Sequence, residues 1–334
     1  MKVHVQLDSA PGAGAARSRE LAETGAGGLF TFEGPHDVFF PLVEAASAVD
    51  LDLMTNVAIA FPRSPMHLAH SANDLQLLSR GHFRLGLGSQ IKPHIEKRYS
   101  ATWSRPAARM KETVAAVKAI FTAWENTSTL NFRGEFFTHT LMPPTFDPGP
   151  NPYGPPPILM GALGPVMTRT AAEVADGLLV MPFHTQRHFL ERTLPAVDAG
   201  LRESGRTRDE FTIIPQVIVG VGRGDDQLAA AARGVRALLS FYGSTPAYRP
   251  VLDVEGWGEV QPELNALSKR GGYTEMASLI TDPMLTTLAV VGTPEECATE
   301  IRRRFGEHAD EVCCYFPGYD VEPSDVASMI SSLT

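Results

Sequence analysis

A close group of titratable side chains beside a turn lies in Phe30-Thr31-Phe32-Glu33-Gly34-Pro35-His36-Asp37, where Glu33, His36 and Asp37 fall within five residues. A histidine can give or take a proton near neutral pH, and a neighbouring carboxylate sets its tautomer. Glu33 and His36 are therefore the candidate proton-transfer residues. The competing reading has Asp37 capping a helix that begins near Val38, with His36 in solvent. A second pattern, Ile158-Leu159-Met160-Gly161-Ala162-Leu163-Gly164-Pro165, runs an apolar strand into two glycines and a helix-opening proline. Exposed backbone N–H groups at a helix start cradle anions, so Gly161, Ala162, Leu163 and Gly164 are candidates to hold a phosphate. A plain tight turn would use the same residues.

Further candidates sit where other apolar segments end. Met181, Phe183, His184 and Thr185 close one of them, beside the cradle. Gly88, Ser89 and Gln90 close another and offer a backbone bend with neutral hydrogen-bonding groups. Ala58, Ile59 and Ala60 are small enough overall to let a planar ring approach the backbone. Asp8 either orients a ligand or caps a turn. His67 and His70 are one helical turn apart, but no carboxylate completes a metal set, and none is expected.

These residues need elements to position them. Short β-branched runs alternate with amphipathic stretches along the whole chain. Strands are predicted at 3–7, 28–32, 53–60, 83–87, 158–160, 177–180, 211–221 and 311–316. Helices are predicted at 39–49, 66–79, 106–124, 165–175, 186–203, 227–242 and 293–305. A β-rich excursion is expected over 129–141, with a turn at Arg133-Gly134, and a less regular insertion from 243 to about 285. Eight strands separated by helices imply parallel β/α units, and eight closes a (β/α)8 barrel, a TIM barrel. The doubly wound alternative lacks its phosphate fingerprint, because the first strand runs into Asp8-Ser9-Ala10-Pro11-Gly12. The expectation is one domain over 1–334, with insertions at about 129–157 and 243–285, and functional groups at the C-terminal ends of the strands.

Composition narrows the partners. A net charge of −9 over 334 residues disfavours a nucleic-acid surface. No apolar run approaches the roughly 20 residues of a membrane helix, and no signal-peptide core is visible, so a cytoplasmic protein without membrane contact is expected. Three cysteines, two of them adjacent, predict buried thiols.

Four stretches carry a family resemblance: FTFEGPHDVFFPL (30–42), FRLGLGSQIKPHIEKRYSATWSRPAAR (83–109), GALGPVMTRTAAEVADGLL (161–179) and SFYGSTPAYRPVL (240–252). The chain resembles the bacterial luciferase-like flavin and deazaflavin oxidoreductases, in particular the subgroup using coenzyme F420. The resemblance implies a homodimeric barrel that binds a tricyclic cofactor at its C-terminal face, with phosphate contacts over 161–164 and 181–185. It also implies a non-prolyl cis peptide at the end of the third strand, within 58–61. Glu33 takes the family's acidic position, whereas Gly34 stands where many members place histidine and His36 follows two residues on. Ser89-Gln90-Ile91 replaces a glutamate common after the fourth strand. The implied activity is hydride transfer between reduced F420 and a small organic substrate. The alternatives are an FMN-dependent monooxygenase and a barrel that binds a cofactor without catalysis. The insertion carries Tyr248, Trp257 and Tyr273 close to Tyr242, and these aromatics could stack on a planar substrate.

Overall fold

The computed structural model describes residues 1–8 and 10–333. Its strands are β1 (Lys2–Gln6), β2 (Gly28–Thr31), β3 (Asp52–Thr55), β4 (Ala58–Ile59), β5 (Phe83–Gly88), β6 (Phe132–Arg133), β7 (Thr138–His139), β8 (Ile158–Ala162), β9 (Gly177–Val180), β10 (Thr212–Val221), β11 (Val290–Gly292) and β12 (Glu311–Tyr315). Eight of them close a parallel barrel in the order β1-β2-β3-β5-β8-β9-β10-β12, with β12 returning to β1. This is the expected TIM barrel. The strands read as apolar runs because both faces are buried, one inside the barrel and one under the helices.

The sequence boundaries hold to within a few residues for most elements, and the exceptions have local causes. The run 53–60 is not one strand. It divides into β3 and β4 around a cis peptide at Asn56–Val57, which therefore lies before the expected 58–61 window. The helix expected at 186–203 starts as Gln186–His188, widens to a π-helical turn at Phe189–Thr193 and resumes as Leu194–Ser204. The excursion is a β6–β7 hairpin whose turn follows Arg133, closed by Gly134 N–H to Phe137 O at 2.8 Å. The insertion is regular rather than loose: helices Arg249–Val254, Val260–Lys269, Tyr273–Ser278 and Asp282–Leu288 pack on Phe183, Ile218 and Leu239. The periodicity there is hidden because these helices have only six to ten residues. Strand β11 and the helix Pro323–Leu333 were not anticipated.

Inside the barrel the side chains stack in layers. The floor, at the N-terminal ends of the strands, is charged. Buried His4 bonds Glu311 through Nε2 at 2.6 Å, and the Arg84 guanidinium reaches both Glu311 (2.7 Å) and Asp52 (2.9 Å). Gly28 is required beside this layer, because a Cβ there would collide with His4 Nδ1. Above it lie Phe30, Met54, Leu159, Leu179, Ile214 and Cys313, an apolar plug. The three cysteines are free thiols, all buried.

Burial by itself would raise the Glu311 carboxyl, but bonds from His4 and Arg84 outweigh it and hold it at about 2. A depressed carboxyl stabilises the fold above its unfolded value and loses that contribution as pH falls. Urea-measured stability is therefore expected to drop between pH 4.5 and about 2 from this group, and Glu311→Gln should flatten that stage. Arg84→Met removes the guanidinium that Glu311 and Asp52 share, leaving Glu311 to His4 and Asp52 to Lys2 and His82, and should cost about 1–3 kcal/mol in the same measurement.

Candidate active site

The C-terminal mouth is built around the place where β3 breaks. Thr55 ends β3, and its hydroxyl donates to Gly86 O at 2.7 Å and accepts from Gly86 N–H at 2.9 Å. One side chain thus satisfies both backbone groups of a strand residue. An added Cβ at Gly86 would strike the Thr55 carbonyl. The chain then crosses toward β5, and Val57 lies on two other glycines: a Cβ would stand 2.5 Å from it at Gly88 and 3.0 Å at Gly161. Gly88 and Gly161 therefore make room for the crossing segment. Tyr315, at the end of β12, bonds Gln216 Oε1 at 2.7 Å and Asn56 O at 3.3 Å, and Phe32 leans on it with ring centroids 6.5 Å apart. Phe32 is 44% exposed at this apolar wall.

Glu33 is a fastener. Its Oε2 accepts from Ile59 N–H (2.9 Å) and Arg63 (2.6 Å), and its Oε1 accepts from the Tyr99 hydroxyl (3.0 Å). One carboxylate ties the loop after β2 to β4, to the following turn and to the π-helical turn His94–Arg98. Burial and the Glu33 charge push the Tyr99 phenol up, so it stays a donor. Arg63 also reaches Asp37 at 3.3 Å, while Asp37 Oδ1 accepts from Phe39 N–H at 2.8 Å; the helix Phe40–Ala46 opens with Phe39 as its N-cap and no side-chain cap, so the expected capping by Asp37 is not made. His36 is exposed in the same loop and makes no hydrogen bond among the described residues. Arg63 and Tyr99 escaped sequence reasoning. They lie 30 and 66 residues from Glu33, and no spacing rule links them.

The other candidates separate. Ala58 and Ala60 are buried in the wall, and Ala60 N–H donates to Gly88 O. Ser89 and Gln90 turn back on their own loop: the Ser89 hydroxyl donates to Gln90 O, and Gln90 Oε1 accepts from Ile91 N–H. Asp8 is exposed at the end of the first strand. Ala162 is buried, and Leu163 joins the insertion's core. Gly164 is exposed, and nothing lies within 4 Å of an added Cβ. The helix Pro165–Val174 starts there with no side-chain cap.

The segment after β9 packs inward. Phe183 is fully buried against Tyr242 and Tyr248. His184 is 4% exposed, bonds Met181 O through Nδ1 at 2.8 Å and lies against Phe189 and Phe305. Burial drives it down to about 4. Thr185 caps its helix by accepting from His188 N–H and donates to Glu255 at 2.6 Å. The side chains of His184 and Thr185, expected at the phosphate, are thus buried, with His184 Nδ1 and the Thr185 hydroxyl held by internal bonds and His184 Nε2 without a hydrogen-bond partner among the described residues. Of the insertion aromatics, Trp257 packs in the second core, and Tyr273 is 62% exposed.

A phosphate-bearing planar cofactor fits these residues. The uncapped helix start at Gly164 has open backbone for an anion, and Val57, Tyr315 and Phe32 form an apolar wall for a ring. The model for luciferase-like monooxygenases matches residues 15–310. The chain belongs to the luciferase-like monooxygenase family, whose members are flavin- or F420-dependent oxidoreductases and monooxygenases. It is 46% identical over 297 residues to an uncharacterized protein of Mycobacterium tuberculosis, covering 89% of this chain and 87% of that one. It is 30% identical over 243 residues to the 5,10-methylenetetrahydromethanopterin reductase of Archaeoglobus fulgidus, covering 71% and 68%. Its fold matches the coenzyme F420-dependent tetrahydromethanopterin reductase of Methanopyrus kandleri, with a TM-score of 0.80, 17% identity and coverage of 99% and 96%. No helix among the described residues is long and apolar enough to cross a membrane.

The crossing segment and the cradle should respond differently to substitution. Thr55→Val strands both buried backbone groups of Gly86 and is expected to cost about 2–4 kcal/mol by urea unfolding. Gly164→Ala should leave that stability within about 0.5 kcal/mol and weaken cofactor binding, read by titration.

Proposed function

We propose that this luciferase-like enzyme takes coenzyme F420 and moves hydride to or from a small organic substrate at the barrel mouth. The observation that carries the reading is the 30% identity with a named reductase over 71% of this chain. The mouth supports it with an apolar wall and an anion cradle made of backbone alone. When bound, F420 supplies the hydride chemistry.

The chain's own residues then have distinct tasks. Glu33, paired with Arg63 and tied to Ile59 N–H and Tyr99, holds the mouth in shape and is a positioning residue. We assign proton exchange with substrate and solvent to His36, which is exposed two residues beyond Gly34. Gly164 would hold the cofactor's phosphate through backbone N–H groups, and Val57 and Tyr315 would line the apolar part of its site. The family's monooxygenases keep an FMN-dependent reading as the alternative.

Titration of the purified protein with each cofactor tests the choice. F420 is expected to bind at least about tenfold more tightly than FMN. Tight FMN binding with oxygen-dependent turnover assigns the monooxygenase reading instead. His36→Ala should lower kcat by about 10²-fold or more and remove one limb of the pH–rate profile. Glu33→Gln should lower stability and cofactor affinity and leave the shape of that profile alone.

A further inference from the structure

The loop leaving β5 carries charge opposite to that of the chain. Residues 89–111 hold Lys92, Lys97, Arg98, Arg105, Arg109 and Lys111 against one acid, Glu96, in a protein of net charge −9. Carboxylates answer part of this charge. Arg105 pairs with Glu135, Lys111 with Glu173 at 2.6 Å and Lys92 with Glu96 at 3.8 Å. Arg109 is held by the Thr102 and Phe61 carbonyls and by the Phe61 ring. Lys97 and Arg98 are exposed and have no carboxylate partner among the described residues.

Arg98 is tied to the mouth, and Lys97 precedes it in the chain. Arg98 donates to Gly34 O at 2.8 Å and lies 5.0 Å from the centroid of the Tyr99 ring, while Tyr99 bonds Glu33. Gly34 is two residues from His36. The acids of that loop are already engaged, since Glu33 and Asp37 both pair with Arg63. Arg98 is thus anchored through one nitrogen to the loop that carries the candidate proton donor, and a guanidinium has further donors to offer.

We propose that Arg98, bonded to the loop that carries His36, and its chain neighbour Lys97 bind a carboxylate or phosphate group of the substrate, which is therefore an anion. A guanidinium fork matches either group in a bidentate arrangement. A local basic rim on an acidic protein also concentrates such molecules at the mouth. The inference rests on the oxidoreductase reading only for the mouth being the substrate entrance.

Calorimetric titration of the full chain with inorganic pyrophosphate and with citrate, at low ionic strength, tests it without turnover. Saturable binding is expected, weakened about tenfold or more in Lys97→Gln/Arg98→Gln. Arg303→Gln, which removes an exposed arginine paired with Glu300, should bind as the parent does. F420 and FMN are then titrated into the same proteins. The preferred cofactor should keep its affinity in the double variant and bind together with pyrophosphate. Absence of saturable anion binding, or an equal loss in Arg303→Gln, overturns the proposal. So does displacement of the cofactor by pyrophosphate with weaker cofactor binding in the double variant, which would assign the rim to the cofactor's own anion. Failure of F420 to bind would count against the function proposed above and leave the anion result standing.

Discussion

Gly86 has its backbone N–H and C=O both satisfied by a single hydroxyl, that of Thr55. The shape of the mouth depends on this contact. Two buried backbone groups cannot be left unpaired when β3 turns away from β5. The Thr55 hydroxyl replaces the missing strand neighbour, and Gly86 has no side chain to block it. The chain is then free to leave the ladder and rejoin β5 two residues later, as β4.

The crossing segment brings Val57 onto Gly88 and Gly161, and Ile59 N–H onto Glu33. The carboxylate that looked most catalytic is therefore engaged on three sides. Its negative charge is matched by Arg63, and its geometry is fixed by a backbone amide and a phenol. Such a group is well suited to hold a wall. The exposed imidazole of His36 has no such ties among the described residues, and the proposed proton exchange is assigned to it for that reason.

Charge is distributed by depth. The floor pairs His4, Arg84, Asp52 and Glu311 where water is scarce, and burial lowers His4 as it lowers His184 and His188. These histidines stay neutral in the fold, so they withdraw stability as pH drops below 6.5, the value from which each is lowered. The helix start at Gly164 offers open backbone N–H groups, and the turn beyond β5 carries the exposed cations Lys97 and Arg98. An acidic protein can thus receive anions without a basic surface overall, because only the local field matters.

Much of the architecture was legible in order. Alternating apolar runs and amphipathic stretches dictate parallel units, since a strand buried on both faces must be apolar throughout. Eight such units specify the barrel, and Gly-x-x-Gly-Pro at 161–165 marks a helix start with open backbone. The sequence alone could also nominate the loop holding Glu33, His36 and Asp37, because those groups are neighbours in the chain. It could not divide their roles. Arg63, Tyr99 and Ile59 meet Glu33 only after β2, β4 and the turn beyond β5 converge, and His184 enters the core only when Phe189 and Phe305 close over it. Residue type sets what a side chain can do, and local periodicity sets the element that carries it. Burial and partners, which decide what it does, come from contacts between distant segments, and those exist only in the folded chain.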